Sequence, residues 1–399
     1  MRVAIDTSLT ASKHTTGIGR YVEGLVRALS KQGVELSVWD SAGQWGLPIP
    51  GAGIRNGILR KAFYLVWLNG CFPWIIKKRN IHVAHFTNFL PPLLPLRKPC
   101  PYVITIHDVH VLRYPGYNPA YKLYRQAMLS RAVKMADFII VPSRHVKQDL
   151  CDLLDVPAEK IHVIYHGISE DFLLDIDEVL PFENRKHILS VGPLNRRKNH
   201  GALISAYAQV LEWNPSFRYD LVITGDLKDK ASEPLMEIIH SKGIESRVHL
   251  VGHVDQERLQ KLYKEAVLFV FPSKYEGFGF PCLEAMASGT PVIASNVTSI
   301  PEVVGKDGRL VEPDDIDGLA RAIVEMLQDP GIWYNYGKMP LNRLWRFTKP
   351  PAKLNFEFCR KGSFCPPISA GLDRWVAADL LLDWILDGME FHVKNNRVF

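Results

Sequence analysis

The chain has 399 residues, more than one hydrophobic core usually holds, so its length predicts two domains with a cleft between them. Apolar residues make up 47% and charged residues 23%, which excludes disordered and fibrous proteins and is typical of a folded enzyme. The net charge is only +6 and the basic residues are scattered. This argues against nucleic acid as a partner and favours anionic small molecules or an anionic membrane surface.

The N-terminus, MRVAIDTSLT, is typical of a first β-strand and lacks the basic, apolar and small-residue zones of a signal peptide. The six cysteines form no CxxC pair and no cluster with histidines at metal-ligand spacing. Neither a zinc site nor a disulfide framework is therefore indicated. Both features predict a cytoplasmic protein.

Through the first half of the chain, short β-branched runs alternate with helical patterns, as in parallel βαβ units. A helix is predicted over Tyr21–Ser30. The stretch 169–185 is acidic and without period, so we place a domain boundary there and assign residues 1–175 to the first domain. The predicted strands of this half are VAID, VELSVWD, HVAHF, YVITIHD, DFIIVPS and, at 162–168, HVIYHGI.

The segment Ile58–Arg79 is rich in Trp, Phe and Leu and has basic flanks that include Lys77, Lys78 and Arg79. Its apolar stretch is too short to cross a bilayer. It is either a helix packed on a sheet, as is common in α/β proteins, or an amphipathic helix lying on an anionic membrane. The second alternative would place the protein at the inner face of the plasma membrane.

The second half again alternates short apolar runs with helical patterns, including a helix predicted over Ala202–Trp213. It defines a second domain at 176–338. The chain is thus predicted to be an α/β protein with two Rossmann-like, doubly wound parallel sheets facing a central cleft. Ligands of such sheets bind beyond the carboxyl ends of the strands, so residues there are candidates for chemistry. The predicted strands of this half are HILSVGP, YDLVITGD, VHLVGHV, LFVFPS and TPVIAS.

The strongest motif is YEGFGFPCLEAMASGTPVIAS, in which Glu276 and Glu284 stand eight positions apart around a Gly-Phe-Gly turn. Glycines allow the backbone to approach a ligand closely. Pro281 suits the first turn of a helix, so Glu284 is predicted in that turn, beside N–H groups that can hold a diphosphate. An isolated glutamate there could simply complement the helix dipole. The combination with Glu276 and the glycines favours a binding site.

The spacing of Glu276 and Glu284 resembles the E-x7-E motif of retaining GT-B glycosyltransferases, in particular glycosyltransferase family 4. The segments VGPLNRRKNHGALISAY, GIGRYVEGLVRAL and SIPEVVGKDGRLVEPDD are also similar to family segments, over roughly residues 1–330. The resemblance implies a GT-B enzyme that moves a hexosyl group, with retention, from a nucleotide diphosphate-sugar to a glycan or lipid-linked acceptor. It further implies a place in cell-surface polysaccharide or lipopolysaccharide biosynthesis.

Within the family, GIGRYVEGL, TIHDVHVLRYP and RRKN are most similar to bacterial mannosyltransferases, which implies GDP-mannose as the donor. No cofactor is implied beyond this donor substrate. The resemblance also implies catalysis without a metal, because helix N-termini and Arg or Lys side chains stabilise the leaving diphosphate in GT-B enzymes.

By resemblance, Arg197 and Lys198 bind the donor diphosphate and neutralise the charge that grows on it. Glu276 is implied to contact the transferred sugar and Glu284 the ribose hydroxyls. On composition alone, Arg197 and Lys198 could be a solvated basic turn, but their place just beyond a strand favours binding. The backbone implied to lie beside the sugar and phosphates is that of Gly277, Phe278 and Gly279.

In the first domain, Gly17 and Gly19 of GIGR are predicted to open a helix whose free N–H groups face the cleft. The resemblance places this loop beside the donor diphosphate. His107 ends the strand YVITIHD, and the resemblance places it near the reacting sugar as a catalytic residue. The alternative is a histidine that satisfies backbone groups at a strand end.

Residues 339–399 form a divergent tail, in which only 373–389 predicts a helix. RFTKPPAKLNFEFCRKG stands where the family has a helix that braces the first domain, and two prolines replace the helix start. One alternative function is therefore a nucleotide-sugar-binding protein whose altered tail has reduced catalysis.

A second alternative is an NAD-dependent oxidoreductase. It would require GxGxxG directly after the first strand and an acidic residue about 20 positions later. GIGR comes later than that turn, and no such acidic pattern follows.

Overall fold

The computed structural model describes residues 2–7, 17–39, 57–92, 98–168, 172, 179–227 and 232–337, with the backbone alone for residues 57–65. The divergent tail predicted at 339–399, with its helix at 373–389, lies outside the described residues. The boundary predicted between residues 175 and 176 stays a prediction.

The first sheet has six described parallel strands in the order β2-β1-β3-β4-β5-β6. The strands are β1 (Arg2–Asp6), β2 (Glu35–Trp39), β3 (Val83–Phe86), β4 (Tyr102–Thr105), β5 (Phe138–Val141) and β6 (Ile161–Val163). The helices are α1 (Gly17–Lys31), α2 (Gly57–Lys78), α3 (His110–Arg113), α4 (Pro119–Met135) and α5 (Arg144–Leu154).

The second sheet has six described parallel strands in the order β12-β11-β10-β7-β8-β9. The strands are β7 (His187–Val191), β8 (Asp220–Thr224), β9 (Val248–Leu250), β10 (Ala266–Phe271), β11 (Val292–Ser295) and β12 (Arg309–Val311). The helices are α6 (His200–Trp213), α7 (Glu233–Ser241), α8 (Gln256–Glu265), α9 (Phe280–Ala287), α10 (Ile300–Val304), α11 (Ile316–Gln328) and α12 (Pro330–Gly337).

Each sheet is covered by apolar side chains on both faces. Val103 and Ile104 are neighbours in β4 but belong to two different buried clusters, because successive side chains of a strand point to opposite faces. Leu268 and Phe269 in β10 divide in the same way between the two clusters of the second sheet. Burial on both faces explains why these strands read as continuous apolar runs. The predicted fold class, two doubly wound α/β sheets, is confirmed.

Helix α2 settles part of the question raised by Ile58–Arg79. Trp67, Phe72 and Ile76 are buried in the core cluster beneath the first sheet, so the segment is a helix packed on a sheet. The opposite face is exposed and carries Trp74, which is 54% accessible. Among the described residues, no helix combines the length and apolar character needed to span a bilayer.

One predicted strand is shorter than expected. HVIYHGI was predicted as a strand over 162–168, but regular pairing ends with β6 at Val163. Ile164 still donates a backbone hydrogen bond of 2.9 Å to Val141, and the chain then leaves the sheet. The physical reason is that the ring of His166 turns between His107 and Phe280, at 5.2 and 5.0 Å between centroids, rather than staying in strand register.

The carboxyl ends of the two sheets face each other and are joined by polar contacts. The hydroxyl of Ser143, the residue before α5, donates to the carbonyl of Gly277 at 2.7 Å. The carboxylate of Glu302 in α10 accepts from the backbone N–H groups of Arg144 and His145, at 2.9 and 2.8 Å. A carboxylate from the second sheet therefore caps a helix of the first, where the helix dipole favours negative charge.

Candidate active site between the two sheets

Glu276 lies at the centre of an ion-pair cluster beyond the carboxyl end of β10. Its Oε1 atom is 2.7 Å from Nζ of Lys198 and 2.8 Å from Nη1 of Arg197. The hydroxyl of Ser273 donates a hydrogen bond of 2.6 Å to the same oxygen. Because β7 and β10 are neighbours, the residues that follow them meet at one point of the sheet edge. The structure thus brings together three residues that the sequence predicted for one site.

The charged groups of this cluster shift one another's pKa values. Burial raises the pKa of Glu276, but Lys198 and Arg197 outweigh burial and hold the pKa below its ordinary value. Burial lowers the pKa of Lys198, and Glu276 opposes that shift. Lys198, whose side chain is only 7% exposed, shares this carboxylate with Arg197, and the charge of Arg197 also acts on Asp108. Cations placed in this way can stabilise an anionic group such as a diphosphate.

Local backbone geometry directs the side chain of Lys198 toward Glu276. A 3-10 turn, Arg196–Lys198, follows β7 and is capped by Asn195, whose Oδ1 accepts from the backbone N–H of Lys198 at 3.2 Å. Gly192 has φ +148°, and a Cβ there would lie 3.0 Å from Cε of Lys198. The absence of a side chain at Gly192 therefore allows Lys198 to extend across the strand end.

The loop that carries Glu276 is held by two residues that sequence reasoning did not single out. The hydroxyl oxygen of Thr298 accepts from the backbone N–H of Glu276 at 3.1 Å. The Ser299 hydroxyl lies 2.9 Å from the carbonyl oxygens of both Glu276 and Phe278 and shares its single proton between them. Their position after the strand TPVIAS was the one signal that could have identified them.

The Gly-Phe-Gly turn packs against the first sheet. A Cβ on Gly277 would lie 2.0 Å from the carbonyl oxygen of His107, so only glycine permits this approach. Gly279 has φ +114° and is the N-cap of α9, which begins without a side-chain cap. The Phe278 side chain is buried against the ring of His166 at 5.2 Å between centroids. The turn therefore presents backbone, rather than the phenyl ring, to the space beside Glu276.

Glu284 is not in the first turn of α9, so that prediction was wrong. The helix begins at Phe280, which puts Glu284 in fifth position, because the glycine before it is the cap. Arg20 of α1 forms an ion pair with one oxygen of Glu284, and the hydroxyl of Tyr263 donates to the other at 3.0 Å. Burial raises the pKa of Glu284, while Arg20 and Tyr263 lower it.

Glycines of the first domain occupy the predicted helix start. Helix α1 begins at Gly17, and Gly19 is buried in its first turn. A Cβ on Gly17 would lie 3.1 Å from the ring of Phe280, so α1 begins against the helix that carries Glu284. The two helix N-termini therefore lie side by side, and the backbone N–H groups at a helix N-terminus can bind an anion.

His107 is a neutral ring with both nitrogens engaged. Its Nε2 lies 2.9 Å from the carbonyl of Thr87, which can only accept, so Nε2 carries the proton. Its Nδ1 then accepts from Nε2 of His166 at 3.2 Å. Burial lowers the pKa of His107 to about 4 and that of His166 well below its ordinary value. These contacts match the alternative of a histidine that satisfies backbone groups, and a catalytic role stays a prediction.

The comparisons with known proteins agree with this geometry. The family model described as Glycosyltransferase Family 4 matches residues 15–172, and that described as Glycosyl transferases group 1 matches residues 185–329. O-antigen chain mannosyltransferase B of Escherichia coli is 32% identical over 264 residues, 64% of this chain and 68% of the relative.

Two further relatives extend the comparison. O-antigen chain mannosyltransferase RfbU of Salmonella typhimurium is 30% identical over 267 residues, 67% of this chain and 70% of the relative. Sucrose-phosphate synthase from Thermosynechococcus elongatus has a similar fold, with a TM-score of 0.70 at 21% identity, covering 98% of this chain and 99% of that one.

Family membership also excludes one of the functions left open by the sequence. An NAD-dependent oxidoreductase is excluded, because both halves of the chain match glycosyltransferase models and the fold is shared with glycosyltransferases. The chain belongs to glycosyltransferase family 4 and is a GT-B glycosyltransferase.

Proposed function

We propose that this glycosyltransferase moves a mannosyl group from GDP-mannose to a glycan or lipid-linked acceptor, with retention, in the assembly of a cell-surface polysaccharide. The observation that carries the proposal is the cluster in which the cations Arg197 and Lys198 both contact Glu276 beyond the carboxyl ends of the strands. The relatives named O-antigen mannosyltransferases support the choice of sugar.

In the proposed reaction, Arg197 and Lys198 bind the diphosphate and stabilise the charge that develops as the bond from the sugar C1 to the phosphate oxygen breaks. Glu276 accepts hydrogen bonds from sugar hydroxyls, and Glu284 accepts them from the ribose. The acceptor hydroxyl forms the new bond to C1 on the same face, and its proton passes to the leaving phosphate oxygen.

Glu276 is a poor candidate for the base in this step. Its pKa is held below the ordinary value by Lys198 and Arg197, and three donors already occupy its Oε1. A carboxylate with a lowered pKa takes up a proton weakly. This supports the leaving phosphate as the proton acceptor.

A donor panel tests the proposed donor. Purified protein, incubated with GDP-, UDP-, ADP- and dTDP-sugars and a glycan acceptor, is expected to release nucleotide from GDP-mannose at the same rate with or without EDTA. The exposed Lys242→Ala variant should match the wild type and serves as the control. Release from UDP- or ADP-sugars alone would overturn GDP-mannose as the donor, and loss of activity in EDTA would overturn metal-independent catalysis.

The pair formed by Arg20 and Glu284 predicts a pH effect. Burial raises the pKa of Glu284, and Arg20 is the largest influence that opposes it. Replacing Arg20 with methionine should raise that pKa further. As the pH falls, Glu284 should therefore take up a proton and lose its negative charge at a higher pH in the variant than in wild type. Profiles of donor kcat/KM against pH should show the acidic limb displaced upward. The same displacement, but smaller, is expected for Tyr263→Phe, and superimposable profiles would contradict the assigned role of Glu284.

The exposed face of α2 supports attachment to an anionic membrane at its cytoplasmic side. Trp74 projects from this face, and Nζ of Lys78 lies 4.7 Å from the centre of its ring. Replacing Lys77, Lys78 and Arg79 with glutamine should weaken binding to phosphatidylglycerol vesicles about 100-fold, since each basic residue contributes about 1 kcal/mol near an anionic surface. Vesicle sedimentation measures this, with phosphatidylcholine vesicles as the control. Unchanged sedimentation would contradict the proposal.

A further inference from the structure

A row of tyrosine rings lies at the start of helix α4 and on the residues before it, in the first domain. The rings of Tyr121 and Tyr124 are stacked, with centroids 6.4 Å apart and 27° between their planes. Tyr117 continues the row at 6.1 Å from Tyr121. Tyr121 is 44% exposed and Tyr124 53% exposed, so both rings are open to solvent. We call Tyr117, Tyr121 and Tyr124 the tyrosine strip.

The tyrosine strip leads into the candidate active site. His110 lies 5.6 Å from the ring of Tyr117 and 6.3 Å from that of Tyr275, the residue before Glu276. His110 is held in place by a hydrogen bond between its Nδ1 atom and the carboxylate of Asp108. The charge of Arg197 also acts on Tyr117, because it opposes the rise in the Tyr117 pKa that burial causes. An unbroken series of rings therefore joins the exposed helix to the donor-binding residues.

Tyrosine rings in such a row suit a carbohydrate. Each ring offers a flat apolar face on which the C–H side of a sugar packs, and a hydroxyl that can pair with sugar hydroxyls. A tyrosine has only two side-chain torsions, so fixing it on binding costs little conformational entropy. Steps of 5.6 to 6.4 Å between ring centres allow successive sugars of a chain to meet successive rings.

The tyrosine strip is less suited to binding a membrane surface than to binding a carbohydrate. Helices that lie on membranes separate an apolar face from a charged one. The exposed half of α4 does not: Lys122 and Leu123 stand between the two exposed tyrosines, and all four side chains are exposed. The strip also continues inward to the cleft, whereas the exposed Trp74 with its basic neighbours lies on α2.

We propose that the tyrosine strip is the binding platform for the growing oligosaccharide acceptor, and that it extends the acceptor site outward from Tyr275 along α4. This inference rests on the proposed function, since it assigns the acceptor of that same site. The end of the acceptor chain lies by Glu276, and the sugars before it pack on His110 and then on the strip. Longer acceptors therefore bind more tightly than short ones.

Acceptor length tests the platform. With α-linked manno-oligosaccharides of one to five residues as acceptors, the wild-type KM should fall as the acceptor lengthens. The double variant Tyr121→Ala, Tyr124→Ala should raise KM for the longest acceptor about tenfold and have a progressively smaller effect on shorter ones. The phenylalanine variants of both positions should keep most of the length dependence. Leu123→Ala, which removes an exposed apolar side chain from the same helix, is the matched control.

Saturation-transfer NMR with the same oligosaccharides separates this inference from the proposed function, because it needs no turnover. Binding by wild type that is lost in the double variant supports the platform even if no mannose is transferred. A wild type that binds none of the oligosaccharides overturns the inference, and so does a double variant with unchanged length dependence. Loss of vesicle binding in the double variant, with normal oligosaccharide binding, would show that the strip contacts lipid instead.

Discussion

Replacing Lys198 with alanine should lower kcat/KM for GDP-mannose about 1000-fold, because removing a preorganised donor from developing charge costs about that much. The variant loses one of the two cations of the cluster and leaves Glu276 paired with Arg197. Nucleotide release in steady state measures the effect, and titration calorimetry with GDP should show weaker binding. The thermal transition should change little, because Arg197 and Ser273 still donate hydrogen bonds to Glu276.

Glu276→Gln is the matched contrast to Lys198→Ala. It keeps the shape of the side chain but removes its charge. The Glu276 carboxylate then no longer competes with a diphosphate for the two cations of the cluster. GDP should bind at least as tightly as in wild type, while transfer falls about 100-fold because the sugar loses its charged acceptor. If Lys198→Ala and Glu276→Gln both weaken GDP binding to the same degree, the division of roles between cation and carboxylate is wrong.

Gly277→Ala should lower kcat about 100-fold by holding the two domains apart. The added Cβ would lie 2.0 Å from the carbonyl oxygen of His107 and 2.9 Å from Cβ of Asp108. Neither contact can be relieved by a flexible side chain, since the nearest atom is backbone, and a displacement of about 1 Å can cost a factor of 100 in rate. Small-angle scattering should report a larger radius of gyration for the variant.

The control for this prediction is Gly70→Ala, on α2. A Cβ at Gly70 would meet no atom within 4 Å, so the variant should keep its activity and its scattering curve. GDP should still bind to Gly277→Ala, because the cations and glutamates of the second domain are untouched. A Gly277→Ala enzyme with normal kcat would show that the contact between Gly277 and His107 is not part of the productive arrangement.

The fold and the ion-pair cluster around Glu276 could be predicted from the sequence because both depend on local patterns. The strands read as apolar runs, and Glu276, Arg197 and Lys198 each follow a strand, so their convergence at one sheet edge follows from parallel topology. The position of Glu284 was mistaken by one residue. Pro281 suggested the first position of the helix, but α9 begins at Phe280, so Glu284 falls just beyond the first turn.

The contacts between the domains could not be predicted, because they join residues far apart in the chain. Arg20 and Glu284 are 264 positions apart, and Arg144 and Glu302 are 158 apart. No periodicity links such pairs, and their meeting depends on how the two sheets face each other. The same holds for His107, whose sequence position predicts a site residue but whose ring nitrogens are occupied by Thr87 and His166.

The most direct test of the central claim follows the labelled sugar itself. Wild-type protein is given GDP-α-mannose labelled with carbon-13 at C1, together with a glycan acceptor, and the product is analysed by NMR. The label should appear in a new glycosidic bond, with the one-bond carbon–proton coupling of an α linkage, which shows transfer with retention. A β linkage would contradict retention, and a label that remains in the nucleotide sugar or appears only as free mannose would contradict the proposed transfer.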